Sequence, residues 1–172
     1  MAHHQQDPAP SFHVSSASFL DGQTLPPAQR GASTGAGAKD ESPQLSWSGA
    51  PAGTQGYAVT MFDPDAPGRG GFWHWAVLDL PAATTSLPAG AGSRQGGHLP
   101  PGAFQLKNDG GSTGYMGAAP PRGHGPHRYI VTVHALDVAH SGLGAGTHPS
   151  ALESKLGPHT LARATLTGLY ER

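Results

Sequence analysis

Between residues 26 and 43, and again between 81 and 114, glycine and proline recur so often that no helical stripe of useful length can form. Glycine (26 residues) and proline (17) make up a quarter of the 172-residue chain, a share that suits a disordered polymer as well as a loop-rich domain. The segments in between decide the matter. "SFHVSSASF" (11–19), "GYAVTMF" (56–62), "FWHWAVLDL" (72–80), "RYIVTVHAL" (128–136) and "ARATLTGLY" (162–170) are short, rich in β-branched and aromatic residues, and alternate or run apolar, as strands bounded by turns do. In the last of them Ala162, Ala164, Leu166 and Gly168 fall on one side and the threonines on the other. The chain therefore reads as mostly β with long loops, a single domain over 11–172 behind a mobile tail of residues 1–10, with a second mobile stretch at "GASTGAGAKD" (31–40).

One helix is expected near the end. "HPSALESKLG" offers Ser150 as N-cap, Glu153 to complete a capping box, Leu152 and Leu156 on one face and Gly157 as a stop. Trp47 and the Trp73–Trp75 segment are expected in or beside the core, because nothing else supplies comparable apolar area. The chain must reverse sharply after "DPD", and Ala66–Pro67 is the candidate for a cis peptide there.

Several functions are disfavoured at once. Charged residues make up only 12% of the chain and the net charge is −1, so the broad basic footprint of a nucleic-acid binder is missing. Cysteine is absent, which removes disulfides, thiolate metal sites and a cysteine nucleophile. The N-terminal "MAHHQQDPAP" has no apolar leader core and no later run approaches a membrane span, so the expectation is a soluble, cytoplasmic protein without integral membrane association.

Three motifs carry the chemistry. In "MFDPDAPGRGG", Pro64 fixes the backbone between Asp63 and Asp65 at a strand end, an arrangement that serves either a site or an ordinary turn whose carboxylates cap backbone N–H groups. In "GFWHWAVLDL", His74 lies between Trp73 and Trp75 and, by strict alternation, shares a face with Phe72, Ala76 and Leu78; it is either a core histidine or part of a pocket wall. In "GAAPPRGHGPHRY", Pro120, Pro121 and Pro126 stiffen a glycine-punctuated loop whose remaining amides could form a concavity for an anion. That loop delivers His127 and Tyr129 to one face of the next strand and Arg128 to the other.

In this order and spacing, "DPDAPG", "FWHW" and "GYMGAAPPRGHGPHRY" resemble the phosphatidylethanolamine-binding protein family, whose bacterial branch is often called Raf-kinase-inhibitor-like. The resemblance extends from "PQLSWSGAP" to "LTGLYER". It implies two antiparallel sheets, one large and one small, one or two short helices near the C-terminus, and a shallow anion pocket built from Asp63, Asp65, His74, Gly117, Pro120, His127 and Tyr129. Arg128, His124, Pro121 and Trp75 are expected to support it. His124, in the Gly-His-Gly step, either holds the loop or touches the ligand. Bacterial members commonly read Gly-Pro-Cys-Pro-Pro where this chain has Gly117-Ala118-Ala119-Pro120-Pro121, so any thiol-dependent property is excluded. The other histidines are expected to be exposed or packed in ordinary ways.

The reading that follows is a binding protein for phosphate, a phosphorylated small molecule or a lipid head group, without cofactor or metal. In it the acids orient the imidazoles, meet a ligand ammonium or pair with Arg128. Alternatives are a hydrolase using the same Asp/His cluster, a metal-dependent enzyme, or a protein-interaction module of the kinase-inhibitor kind. His124 and His127 do form an H-x-x-H, but it straddles Gly125 and Pro126 in a loop, with none of the helical context such a motif needs. A homodimer is expected by resemblance alone.

Overall fold

The computed structural model describes residues 10–68 and 70–172. Eight strands build two antiparallel sheets. The smaller joins β1 (His13–Ser15), β2 (Leu45–Ser48) and β5 (Ser86–Leu87) in the order β1-β2-β5. The larger has the order β6-β4-β3-β7-β8, from β3 (Gly56–Asp63), β4 (Phe72–Pro81), β6 (Phe104–Gln105), β7 (His127–Leu136) and β8 (Thr160–Tyr170). The four long strands of the large sheet correspond to the segments read from alternation, each extended by a residue or two. The first expected strand is shorter than "SFHVSSASF", with only Ser11 adding an isolated bridge to Arg163.

The main core lies between the sheets. Val14, Leu45, Trp47 and Leu87 of the small sheet pack on Val59, Met61, Trp75, Val77, Val131, Val133 and Leu166 of the large one. Apolar burial on this scale is the main favourable term in folding. Trp47 and Trp75 are buried as expected, whereas Trp73 points to the outer face and is half-buried against Phe62, with ring centroids 4.4 Å apart. On that outer face a second cluster joins Ala58, Ala76, Leu78, Leu106 and Leu136 to Leu152 and Leu156 of the one short helix, α1 (Leu152–Leu156).

The expected cap of that helix is wrong. Pro149 starts a 3-10 turn (Pro149–Ala151) two residues early, and His148 caps it, its Nδ1 accepting the Ser150 N–H at 3.2 Å, while Glu153 reaches Arg163 instead. The Ala66–Pro67 bond is also not cis, since no described peptide bond is. The reversal between β3 and β4 is achieved by glycine: Gly68, Gly70 and Gly71 take φ of +105°, +77° and +99°, a region closed to most side chains. Segment 31–40, expected to be mobile, is tied down, with a 3-10 turn at Ala32–Thr34 and Asp40 Oδ2 accepting the Ala32 N–H. Of the expected tail, residues 1–9 lie outside the described residues, and the Pro10 carbonyl accepts the Arg163 N–H at 3.1 Å.

Candidate functional site

β3, β4 and β7 end together beside the turn 64–71 and the loop 117–126, and there they enclose a cavity of about 300 Å³. Asp63, His74, His127 and Tyr129 supply its polar lining. Phe72, Met116, Pro67, Pro120 and Pro121 supply an apolar wall.

His74 reaches the cavity by a route alternation does not give. Met61 pairs with Trp75 and Phe62 with Trp73, so His74 is an extra residue in β4, a β-bulge. Phe72 and His74 therefore face the pocket while Trp75 faces the main core, and Ala76 and Leu78, the expected face-mates of His74, lie on the opposite side of the sheet. The His74 ring is buried, edge-on to Tyr129 at 5.2 Å and 4.7 Å from Phe72. Its Nδ1 lies 2.7 Å from the Met116 carbonyl, which only accepts, so Nδ1 carries the proton and the neutral ring keeps its lone pair on Nε2. Burial lowers the pKa of this imidazole below the usual histidine range, against a smaller upward pull from the Met116 carbonyl and Asp63.

His127 and Tyr129 do share the inner face of β7, stacked at 6.5 Å, with Arg128 outside. Asp63 is buried and performs two tasks: Oδ1 accepts the Asp65 N–H at 2.7 Å, closing the proline turn, and Oδ2 accepts from His127 Nδ1 at 2.6 Å. Both readings of that motif thus hold in one residue. Burial raises the pKa of the Tyr129 phenol far above its ordinary value, so it remains a donor throughout the neutral range. Among the described residues its hydroxyl has no hydrogen-bond partner.

Two expected members stand apart. Asp65 does not line the cavity; it accepts three bonds from Arg128, from the backbone N–H, Nε and Nη2, at 2.9–3.0 Å. Trp75 is fully buried and donates Nε1–H to Gln105 Oε1 at 2.7 Å, so it packs behind the site.

Some amides of the expected concavity are used by the protein itself. The Gly117 N–H donates to Asp40 Oδ1, the Ala118 N–H to Gln29 O, the Met116 N–H to His74 O and the Gly123 N–H to Arg172 O. These amides are occupied by the protein's own acceptors, whereas Ala119, whose N–H has no such acceptor among the described residues, lines the cavity. Gly117 is required by proximity: a Cβ there would run into the Arg30–Gly31 backbone. Pro120 and Pro121 line the cavity, and Arg172 Nε fixes their position by donating to the Pro120 carbonyl at 2.7 Å. Sequence reasoning missed Asp40, Phe72, Met116 and Arg172. Phe72 was visible as the aromatic two residues before His74, while the others act from distant segments.

Among the described residues no group of three or more His, Cys, Asp or Glu is arranged to hold a metal ion, and no helix is long and apolar enough to cross a membrane. A family model described as phosphatidylethanolamine-binding protein matches residues 15–171. The chain belongs to that family. Escherichia coli YbcL is 39% identical over 95% of this chain and 89% of its own length, and E. coli YbhB is 46% identical over 75% and 80%. The crystal structure of YbcL, described as a member of the mammalian PEBP family, superposes with a TM-score of 0.90 over 95% of this chain and 99% of that one. A Chlamydia trachomatis PEBP homolog, 27% identical, gives 0.78 over 94% and 98%. The two-sheet fold is thus that of a PEBP-family chain, as the resemblance implied, and it carries the buried Asp63–His127 pair.

Proposed function

We propose that the cavity binds a phosphate-like anion, a phosphomonoester or phospholipid head group, and that the protein acts by binding. The observation that carries this reading is the convergence of two imidazoles and a phenol on one cavity whose carboxylate is already engaged with an imidazole. The Tyr129 hydroxyl donates directly. His74 donates through Nε2 once it takes up a proton, which a bound anion favours. The apolar wall suits an ester whose substituent leaves the phosphate along Phe72 and Met116. No reaction is needed to account for the groups present. The family's name points to the same ligand class.

Because burial lowers the pKa of His74, binding is coupled to proton uptake, and affinity falls as pH rises from about 5 to 8. Calorimetric titration with inorganic phosphate, phosphoethanolamine and phenyl phosphate at pH 5.5 and 8 tests this. His74→Ala, and His74→Gln as a bulkier control, are expected to lose roughly ten- to a hundredfold in affinity. Equal phosphate affinity in wild type and both variants overturns the anion site. Tighter binding of phosphoethanolamine than of phosphate would add an acceptor for the ammonium to the same pocket.

A further inference from the structure

His127 uses both ring nitrogens within the protein. Nδ1 donates to Asp63, and Nε2, the nitrogen left to offer a ligand, meets His124 Nδ1 at 2.5 Å, with ring centroids 4.8 Å apart. Neither two N–H groups nor two lone pairs can face each other at that distance, so the two rings share one proton across the contact. A ligand oxygen can reach Nε2 only when His124 has left it.

The local chain allows that departure. His124 is exposed and does not itself line the cavity. It sits between Gly123 and Gly125, both in the left-handed region at φ +75° and +82°, and a Cβ built on either would meet nothing within 4 Å. The backbone is held on both sides, by Arg172 Nε at the Pro120 carbonyl, by the Arg172 and Pro121 carbonyls accepting the Gly123 and His124 N–H groups, and by Pro126 immediately before β7, so the movement open to His124 is rotation of its side chain. A side chain on a solvated glycine tip, attached to a buried acceptor, can swing without disturbing the core.

We infer that His124 is a latch: a positioning residue that occupies His127 Nε2 in the empty pocket and is displaced when a phosphate-like anion takes that nitrogen, or when both rings are protonated. The inference rests on the anion reading above and adds its regulation. The groups around His127 set the direction. Asp63 from β3 faces Nδ1, His74 comes from β4, Tyr129 lies beside it on β7, and Tyr170 stands opposite in register on β8 with its ring under the Arg30 guanidinium. Arg172 follows Tyr170, and Arg128 is on the other face, held by Asp65. With a proton on both rings, two cations are in contact and the pair breaks. Acid opens the latch in the same direction in which it favours the anion.

Two measurements decide this. Imidazole nitrogen NMR of the ligand-free protein is expected to show a scalar coupling across the hydrogen bond between His124 Nδ1 and His127 Nε2 in wild type, and none in His124→Ala. Absence of that coupling in wild type overturns the latch. Calorimetry with inorganic phosphate is then expected to show His124→Ala binding about two- to tenfold more tightly than wild type at pH 8, the worth of one hydrogen bond, with the difference closing at pH 5.5. Equal or weaker binding by His124→Ala at pH 8, with phosphate bound by wild type, overturns the latch and leaves the anion site standing. Phosphate binding by neither protein at either pH overturns the anion reading, and the latch with it. An unchanged Tm for His124→Ala establishes that the fold is intact.

Discussion

His127 and His134 stand seven residues apart on β7, on opposite faces of the large sheet, and both are buried. His127 faces a carboxylate, Asp63, at 2.6 Å. His134 faces a hydroxyl, Thr60 Oγ1, at 3.2 Å, with Arg163 beside it in the strand register. Burial and the Arg163 charge hold His134 down at a pKa of about 4, so it is a neutral residue of the outer face. The same strand thus buries one imidazole with a partner that supports a positive charge and another without one. Depth alone does not make a buried histidine functional; the group opposite it does.

The comparison breaks most severely at Asp63. Asp63→Ala removes the carboxylate from a buried pair and the cap from the proline turn, and is expected to cost about 3–5 kcal/mol in urea unfolding at pH 7. Asp63→Asn keeps an acceptor for the Asp65 N–H and removes only the charge. It is expected to destabilise by about 1–3 kcal/mol in urea unfolding at pH 7. If Asp63→Asn unfolds at the same urea concentration as wild type, the contrast between the two histidines has another origin.

His134 gives the next largest effect, with the opposite sign. Its folded pKa lies below the unfolded value, so the unfolded chain binds the extra proton. Stability is full above about 6.5 and is lost as pH falls toward about 4, to a total of about 3 kcal/mol. Replacing His134 by Leu together with Thr60 by Val removes the titrating group without leaving a buried hydroxyl unpaired. The double variant is expected to show a flatter dependence of the urea midpoint between pH 7 and 4.5 than wild type. An equally steep loss would assign the acid sensitivity to other groups.

Much of this was legible in the sequence. The period of two placed His127 and Tyr129 inward and Arg128 outward, and the one-sided pattern of β8 was visible in its alanines. The rest depended on pairing partners that a single strand does not contain. The bulge that turns His74 into the pocket exists only as an extra residue of β4 against β3, so alternation assigned His74 to the face of Ala76 and Leu78. The Gly117 amide looked free because its acceptor, Asp40, lies 77 residues earlier. β2, β5 and β6, with two to four residues each, are too short to show a period. The Ala66–Pro67 reversal was assigned to proline when three glycines in the same turn already sufficed.

The smallest effect sharpens the comparison to adjacent residues. Asp65–Arg128 lies one residue from Asp63–His127 on β7, yet outside, with the Arg128 side chain 54% exposed. The Arg128 guanidinium, through its hydrogen bonds to Asp65, lowers that carboxyl to about 2. Its contribution is therefore present above about 3.8 and is lost as pH falls through about 2. Water screens the pair, and the Arg128 backbone N–H continues to hold Asp65 Oδ2 when the side chain is gone. Arg128→Ala is accordingly expected to leave the urea midpoint close to that of wild type, and closer still in high salt. Phosphate affinity at pH 5.5 should stay within about twofold of wild type, because an exposed, already neutralised charge adds little to the pocket. A tenfold loss in Arg128→Ala with its Tm intact would mean that the outer pair tunes the inner one through the shared turn, and the two faces of β7 could no longer be treated as separate.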